Sequence, residues 1–194
     1  MKTSAILSLF IALPLFAEET SVSRLSQVRD SYPQLSPDGS QIVFQSNRNG
    51  TNQVWLMNLD GSGLVQITDV PGEGAETPVW SPDGEWIAYA ASQGENNKDV
   101  CVMKRDGTGN RQITSGPGYD GHPHWSADGQ RIVINSDRDT PDHSVPWNRR
   151  FHDIWSIRPD GSDARKHTHC DGVCTFGSFS LDGNELLFHK GDVA

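Results

Sequence analysis

Short runs of apolar residues recur along the chain, and each lies next to a polar turn. Ile42–Phe44 and Ile87–Tyr89 follow a Pro-Asp-Gly turn, whereas Val54–Met57 precedes a second Asp-Gly turn. Apolar runs of this length, bounded by glycine, proline and aspartate, predict β-strands, and no helical spacing of apolar residues interrupts them. The sequence therefore predicts an all-β protein.

These strands and turns repeat along the chain with a period of about 45 residues, which is typical of four-stranded propeller blades. The units cover approximately residues 32–68, 77–114, 122–168 and, in part, 176–194. Their turn glycines are Gly39, Gly84, Gly129 and Gly183. We predict a β-propeller of four-stranded blades with about three and a half blades present, from a ring that originally held six to eight.

The Ser-Pro-Asp-Gly segment of each unit has the chemistry of a turn. Proline presets φ, aspartate can accept hydrogen bonds from the backbone that follows it, and glycine tolerates positive φ. Ala127 and Leu181 replace the proline in the third and fourth units, but both units keep Asp-Gly. We interpret the serines as turn residues, because no Gly-x-Ser-x-Gly elbow is present to make one of them a nucleophile.

Residues 1–17 have the pattern of a signal peptide. Lys2 supplies a positive start, and Ala5–Phe16 is an apolar run too short to span a bilayer comfortably. Cleavage is expected between Ala17 and Glu18, which leaves residues 18–194 as the propeller domain without a membrane span. An uncleaved anchor is the alternative. The predicted location is periplasmic or secreted.

Val22–Ser26 resembles the outer strand of a blade whose inner strands are absent upstream. An unfinished ring would leave apolar blade faces and strand edges open, and such edges can pair with another chain. The sequence therefore predicts either a fragment of a longer propeller or self-association through open blade edges.

The chain is acidic, with a formal net charge of -9 and a pI near 5.1. Binding to nucleic acid needs a basic face for the phosphates. A nucleic-acid partner is therefore not expected.

The repeated segments that begin at Tyr32, Thr77 and His122 resemble the TolB-type propeller repeat, in which Pro-x-(Trp/Phe)-Ser-Pro-Asp-Gly precedes an apolar strand. The resemblance covers most of the chain after residue 17. It implies a propeller that docks a protein or peptide partner. The same repeat also occurs in propellers that gate prolyl-oligopeptidase-like peptidases, so the resemblance leaves a hydrolase role open.

Histidines near the predicted channel are candidate metal ligands. His122 and His124 begin an inner strand, and His167, His169 and Cys170 precede the next one. No fixed ligand spacing such as His-Glu-x-x-His appears, so neither a metal nor any other cofactor is predicted. His122 and His124 remain candidate binding residues.

Two cysteines, Cys170 and Cys174, are close in the sequence of a predicted exported protein, and a disulfide between them is plausible. Two free thiols are the alternative. Cys101 alternates with Val100 and Val102 and is predicted to be a small buried apolar residue.

The third unit carries an extra segment, Thr140–Phe151, between its second and third strands. It contains Trp147, Arg149 and Arg150, and tryptophan and arginine are common anchors in binding interfaces. These three residues are candidate binding residues; the alternative is an insertion that packs onto its own blade.

The sequence thus favours a binding protein over an enzyme, and it identifies no catalytic residue. The first hypothesis is an exported, non-catalytic propeller scaffold that binds a protein or peptide. The alternative is the propeller portion of a larger hydrolase, or a propeller lyase that would use channel histidines.

Overall fold

The computed structural model describes residues 28–146 and 149–192. The predicted signal peptide, Val22–Ser26 and Trp147 lie outside these residues. Within the described part the regular elements are strands and no α-helix is present, which confirms the all-β prediction. No helix of this part is long and apolar enough to cross a membrane.

The first two sheets each contain four strands. Sheet one is formed by β1 (Asp30–Leu35), β2 (Gln41–Ser46), β3 (Gln53–Asn58) and β4 (Val65–Gln66). Sheet two is formed by β5 (Ala75–Trp80), β6 (Trp86–Gly94), β7 (Asn97–Lys104) and β8 (Arg111–Gln112).

The third sheet repeats this pattern, and the described part of the fourth sheet has two strands. Sheet three is formed by β9 (Asp120–Trp125), β10 (Ile132–Ser136), β11 (Asp153–Ile157) and β12 (Arg165–Lys166). Sheet four is formed by β13 (Val173–Phe179) and β14 (Leu186–Gly191).

Each sheet is an antiparallel meander in which neighbours in sequence are neighbours in space. The first strands of successive sheets contact one another in the order β1, β5, β9 and β13. These are therefore the inner strands of radially arranged blades, as in a β-propeller. The predicted three and a half blades are confirmed for the residues that the structure describes.

The cores lie between successive sheets, where apolar side chains of adjacent sheets pack face to face. Val43 and Leu56 of sheet one pack in one cluster with Trp80 and Tyr89 of sheet two. The same arrangement joins sheets two and three, and then sheets three and four. Each fully buried aliphatic side chain contributes about 1.5–3 kcal/mol to stability, so face-to-face packing holds the blades together.

The Pro-Asp-Gly turns also contact one another from blade to blade. A Cβ placed on Gly84 would lie 3.5 Å from Pro37 Cδ, and one on Gly129 would lie 3.8 Å from Pro82 Cδ. A Cβ placed on Gly183 would have no atom within 4 Å, and the preceding turn carries Ala127 in place of proline. The proline of one turn therefore packs over the glycine of the next.

Threonine side chains tie the short outer strands to the sheets. Thr68 Oγ1 accepts a hydrogen bond from Val54 N and donates one to Gln53 Oε1, both at 2.8 Å. Thr114 and Thr168 make the equivalent pairs of bonds, with Asp99 and Asp153 as acceptors. The Ile-Thr or His-Thr pair that ends the first three units thus closes each blade.

Candidate binding site at the propeller axis

One residue in each inner strand adopts the left-handed backbone conformation. These residues occupy the same repeat position, with φ values of 48° to 55°. They are Tyr32, Thr77, His122 and Phe176, and we call this set the axial arc. A left-handed conformation costs a non-glycine residue about 1–2 kcal/mol, so the surrounding structure must hold it in place.

A β-bulge accompanies each of these residues, because the pairing register of every inner strand shifts next to it. A bulge redirects a side chain relative to the regular alternation of a strand. Hydrogen bonds then fix the position: Thr77 N donates to Gln45 Oε1 of the preceding sheet at 2.9 Å. His122 Nδ1 lies at the same distance from Asn135 Oδ1.

Three side chains of the axial arc converge, although they come from separate sheets. The ring centroids of Tyr32 and His122 are 6.1 Å apart, and those of His122 and Phe176 are 4.5 Å apart, both edge to face. Phe176 is 56% exposed and Tyr32 is 44% exposed. Sheets one, three and four therefore present a joint aromatic surface at the axis.

His122 at the centre of this surface favours its neutral form. Burial lowers the pKa of its imidazole, against the hydrogen bond to Asn135 and the charge of Glu76, which both raise it. Because Asn135 Oδ1 can only accept, the proton of the neutral ring lies on Nδ1 and Nε2 remains an acceptor.

A charged cluster flanks the axial arc on the second sheet. Lys98 Nζ lies 2.7 Å from Glu76 Oε2 and 3.2 Å from Glu73 Oε2. The same ammonium group is 5.9 Å from the ring centroid of Tyr119, which is itself 6.1 Å from that of His122. Two carboxylates thus face one ammonium group, and the cluster has an excess of negative charge.

The structure separates the predicted binding histidines. His122 lies in the axial arc, and the sequence predicts a position near the channel for it. His124 is exposed two residues later on the same strand, where it pairs with Val133 in the sheet. The bulge between the two residues is the physical reason why their side chains do not act together.

The insertion of the third unit is anchored by one of its two arginines. Arg150 is 1% exposed and forms an ion pair with Asp137, whereas Arg149 is exposed. The Arg150 guanidinium also donates to the backbone oxygens of Val145 and His143. A partner cannot reach a side chain buried in this way, so Arg150 is not part of the binding surface proposed below.

Cys170 and Cys174 are joined by a disulfide, with their Cα atoms 6.3 Å apart. Cys174 is fully buried and packs with Val133 and Ile154 of sheet three. The bridge therefore fixes the loop before β13 against the neighbouring blade. Cys101 is a buried free cysteine, as its alternation with valines predicted.

The described residues contain no group of three or more histidines, cysteines, aspartates or glutamates arranged to hold a metal ion. His169 and Cys170 instead line a shallow depression of about 330 Å³ between the insertion of the third unit and the loop before β13. Lys166 Nζ lies there, 2.8 Å from both Asp139 Oδ2 and Asp153 Oδ2. Its ammonium group occupies the position between these carboxylates.

Tyr32 and Phe176 are site residues that were not predicted from the sequence. The signal available was positional, since both occupy the repeat position of His122. That position precedes proline in the first three units and glycine in the fourth, but the sequence alone does not show that a bulge turns it toward the axis.

Radial antiparallel sheets with side chains gathered at the axis define the class of protein as a β-propeller. The chain belongs to the TolB beta propeller domain family, whose profile matches residues 73–193.

Similar proteins include a TolB homolog from Chlorobium luteolum, 35% identical over 77% of this chain and 31% of the relative. An uncharacterized peptidase, YuxL from Bacillus subtilis, is 30% identical over 66% of this chain and 24% of the relative. A solved structure of a provisionally assigned TolB from Agrobacterium tumefaciens has a TM-score of 0.69 at 25% identity, over 82% of this chain and 53% of that one. The chain spans less than a third of the length of the two curated relatives.

Proposed function

We propose that this chain is the propeller of an exported, non-catalytic protein that binds a protein or peptide partner through the axial arc. The observation that carries the proposal is the convergence of exposed Tyr32 and Phe176 on His122 from separate blades. Large exposed aromatic side chains held in a fixed arrangement are typical anchors of binding surfaces. The similarity to a TolB homolog supports a protein partner.

Export is part of the proposal and rests on the predicted signal peptide. The disulfide between Cys170 and Cys174 supports it, because disulfides persist in oxidising compartments outside the cytosol. Fractionation of cells that express the full chain should place the protein outside the cytoplasm. Sequencing of its N-terminus should begin at Glu18, and a cytoplasmic protein that still begins at Met1 would contradict export.

Photo-crosslinking tests the binding surface. A photoreactive phenylalanine analogue is placed at position 176 in the axial arc and, as a matched control, at position 188. Phe188 is an exposed phenylalanine of the same sheet that lies outside the arc. We expect a discrete adduct with a partner protein at position 176 alone. Equal labelling at both positions, or no adduct at position 176, would contradict partner binding at the arc.

A second candidate is the propeller portion of a larger hydrolase, and it is favoured by the 30% identity to the peptidase YuxL. The two candidates are separated by the reading frame that contains this chain in its genome. A downstream α/β-hydrolase segment would support the hydrolase. Further propeller repeats followed by a stop codon would support the binding protein.

A further inference from the structure

Among the described residues, many aromatic rings have the cationic group of an arginine or lysine of the same chain over one face. The Arg48 guanidinium lies 4.7 Å from the ring centroid of Trp55, and that of Arg138 lies 4.8 Å from Trp155. Arg105 and Arg111 lie over Trp80 and Trp86 in the same way. A cation over the face of an aromatic ring is attracted by the electron density of the ring.

The axial arc departs from this pattern. Within the described residues, no lysine or arginine lies over Tyr32 or Phe176, although both rings are among the exposed large apolar groups of the chain. His122 between them favours its neutral form because burial lowers its pKa, so it does not supply the missing charge. The rings therefore keep faces that a cation from another molecule can cover.

The charges around the axial arc favour such a cation. Glu73 and Glu76 share the single ammonium group of Lys98, and the Glu73 side chain remains 52% exposed. Lys98 already shows how a cation is accommodated there, because its ammonium group lies near both carboxylates and within 5.9 Å of the Tyr119 ring centroid. The net charge of -9 over the whole chain adds a long-range attraction for a basic partner.

We propose that the axial arc binds a cationic side chain, a lysine or an arginine, presented by the partner. Tyr32 and Phe176 contact the cation through their ring faces, Glu73 supplies the opposite charge at the edge, and His122 holds the two rings in place. The inference rests on the proposed function, since it specifies the chemistry of the partner that the axial arc would bind.

The test uses a pair of small probes on the full chain after signal cleavage. Nα-acetyl-lysine methylamide and Nα-acetyl-norleucine methylamide have side chains of similar length, but only the lysine side chain carries a charge. Titrations are followed through the aromatic NMR resonances of Tyr32, His122 and Phe176. We expect saturable shifts with the lysine probe and binding weaker by about 2- to 30-fold with norleucine, the range that corresponds to 0.5–2 kcal/mol for a cation on an aromatic ring.

Two variants test whether the lysine probe binds at the axial arc. Phe176→Leu keeps an apolar side chain but removes the ring, and it should reduce the preference for lysine over norleucine. Phe188→Leu is the matched control in the same sheet and should leave the preference unchanged. Circular dichroism establishes whether each variant is folded. If a variant does not fold, the comparison of the two probes on the unmodified chain still tests the inference.

Equal binding of the two probes, or no saturable shift with lysine, would overturn the inference. An unchanged lysine preference in a folded Phe176→Leu variant would do so as well. If a partner is crosslinked at position 176 while the probes show no preference for charge, partner binding stands and the cationic side chain alone is wrong. If lysine binds but no partner is crosslinked, the proposed function fails instead.

Discussion

Arg150 Nη1 lies 3.0 Å from Asp137 Oδ2 in an ion pair that is almost fully shielded from solvent. Asp137 precedes the insertion of the third unit, and Arg150 lies near the end of that insertion. Asp137 Oδ1 also accepts a hydrogen bond from Tyr119 N at 2.6 Å, which links the insertion to the inner strand region of its blade. The pair therefore fixes the base of the insertion to the fold.

Replacement of Arg150 should destabilise the protein strongly. Arg150→Met removes one partner of a buried ion pair and leaves the Asp137 carboxylate buried without its countercharge, a change that typically costs about 3–5 kcal/mol. Unfolding in urea gives the free energy directly. Arg149→Met is the matched control, because Arg149 is exposed, and exposed substitutions usually change stability by about 0.5 kcal/mol or less. Equal stability of the two variants would argue against the anchoring role of Arg150.

The stability of the protein should depend on pH through Asp99. Burial raises the pKa of this carboxyl group from 3.8 to about 6 in the folded state. Asp120 adds to the shift, and its Oδ1 is buried without a hydrogen-bond partner. A raised pKa means that the folded state binds the proton more tightly than the unfolded state does.

The sign of the effect follows from this difference. The stabilisation by protonated Asp99 is fully present below about pH 4 and is lost as the pH rises through about 6, with a slope of up to about 1.4 kcal/mol per pH unit. The free energy of unfolding of the unmodified chain minus that of Asp99→Asn should fall over this range and then become constant.

Asp106→Asn provides a control of opposite sign. The hydrogen bonds from Thr108 lower the pKa of the Asp106 carboxyl group. Its contribution should be present above about pH 4 and be lost at lower pH. A difference for Asp99→Asn that does not change between pH 4 and pH 6 would show that Asp99 is not shifted upward.

The cysteines should differ in their access to thiol reagents. The chain has three cysteines, and the disulfide uses Cys170 and Cys174. Protein that is unfolded without reductant should therefore react through one thiol, that of Cys101. The same protein should react through three thiols after reduction.

Substitution assigns the reacting group. Cys101→Ala should abolish labelling of the unfolded, unreduced protein, whereas Cys170→Ser should expose a second thiol by freeing Cys174. Closing so short a loop is worth about 2 kcal/mol on the chain-entropy estimate, so reduction should also lower the temperature of unfolding. Three reactive thiols before reduction would show that the bridge does not form.

The blades and their turns could be predicted from the sequence because their chemistry is local. Ser81 Oγ donates to Asp83 Oδ1, and Glu85 N donates to the same oxygen, so the turn is specified by a few adjacent residues. The apolar runs Ile87–Tyr89 and Val100–Met103 form strands, as apolar runs bounded by turn residues predicted, and both are buried. The repeat then supplied the number of blades.

The axial arc could be predicted only in part. His122 was expected near the channel, but its contacts with Tyr32 and Phe176 join residues that are far apart in the sequence. Their convergence depends on bulges and on the radial arrangement of whole sheets. Arg149 and Arg150 show the same limit, because two adjacent arginines of equal chemistry differ in burial through Asp137, which lies earlier in the chain.

Pro37 lies beside Gly84, and Pro82 lies beside Gly129, so the proline in the turn of one unit also packs against the turn of the next unit. Each of these glycines also has a φ of about +70°, so its own turn requires it whether or not a proline lies beside it. Across relatives, loss of the proline from one turn should therefore leave the glycine of the following turn in place. The third and fourth units follow this rule, because Ala127 replaces the proline while Gly183 is kept.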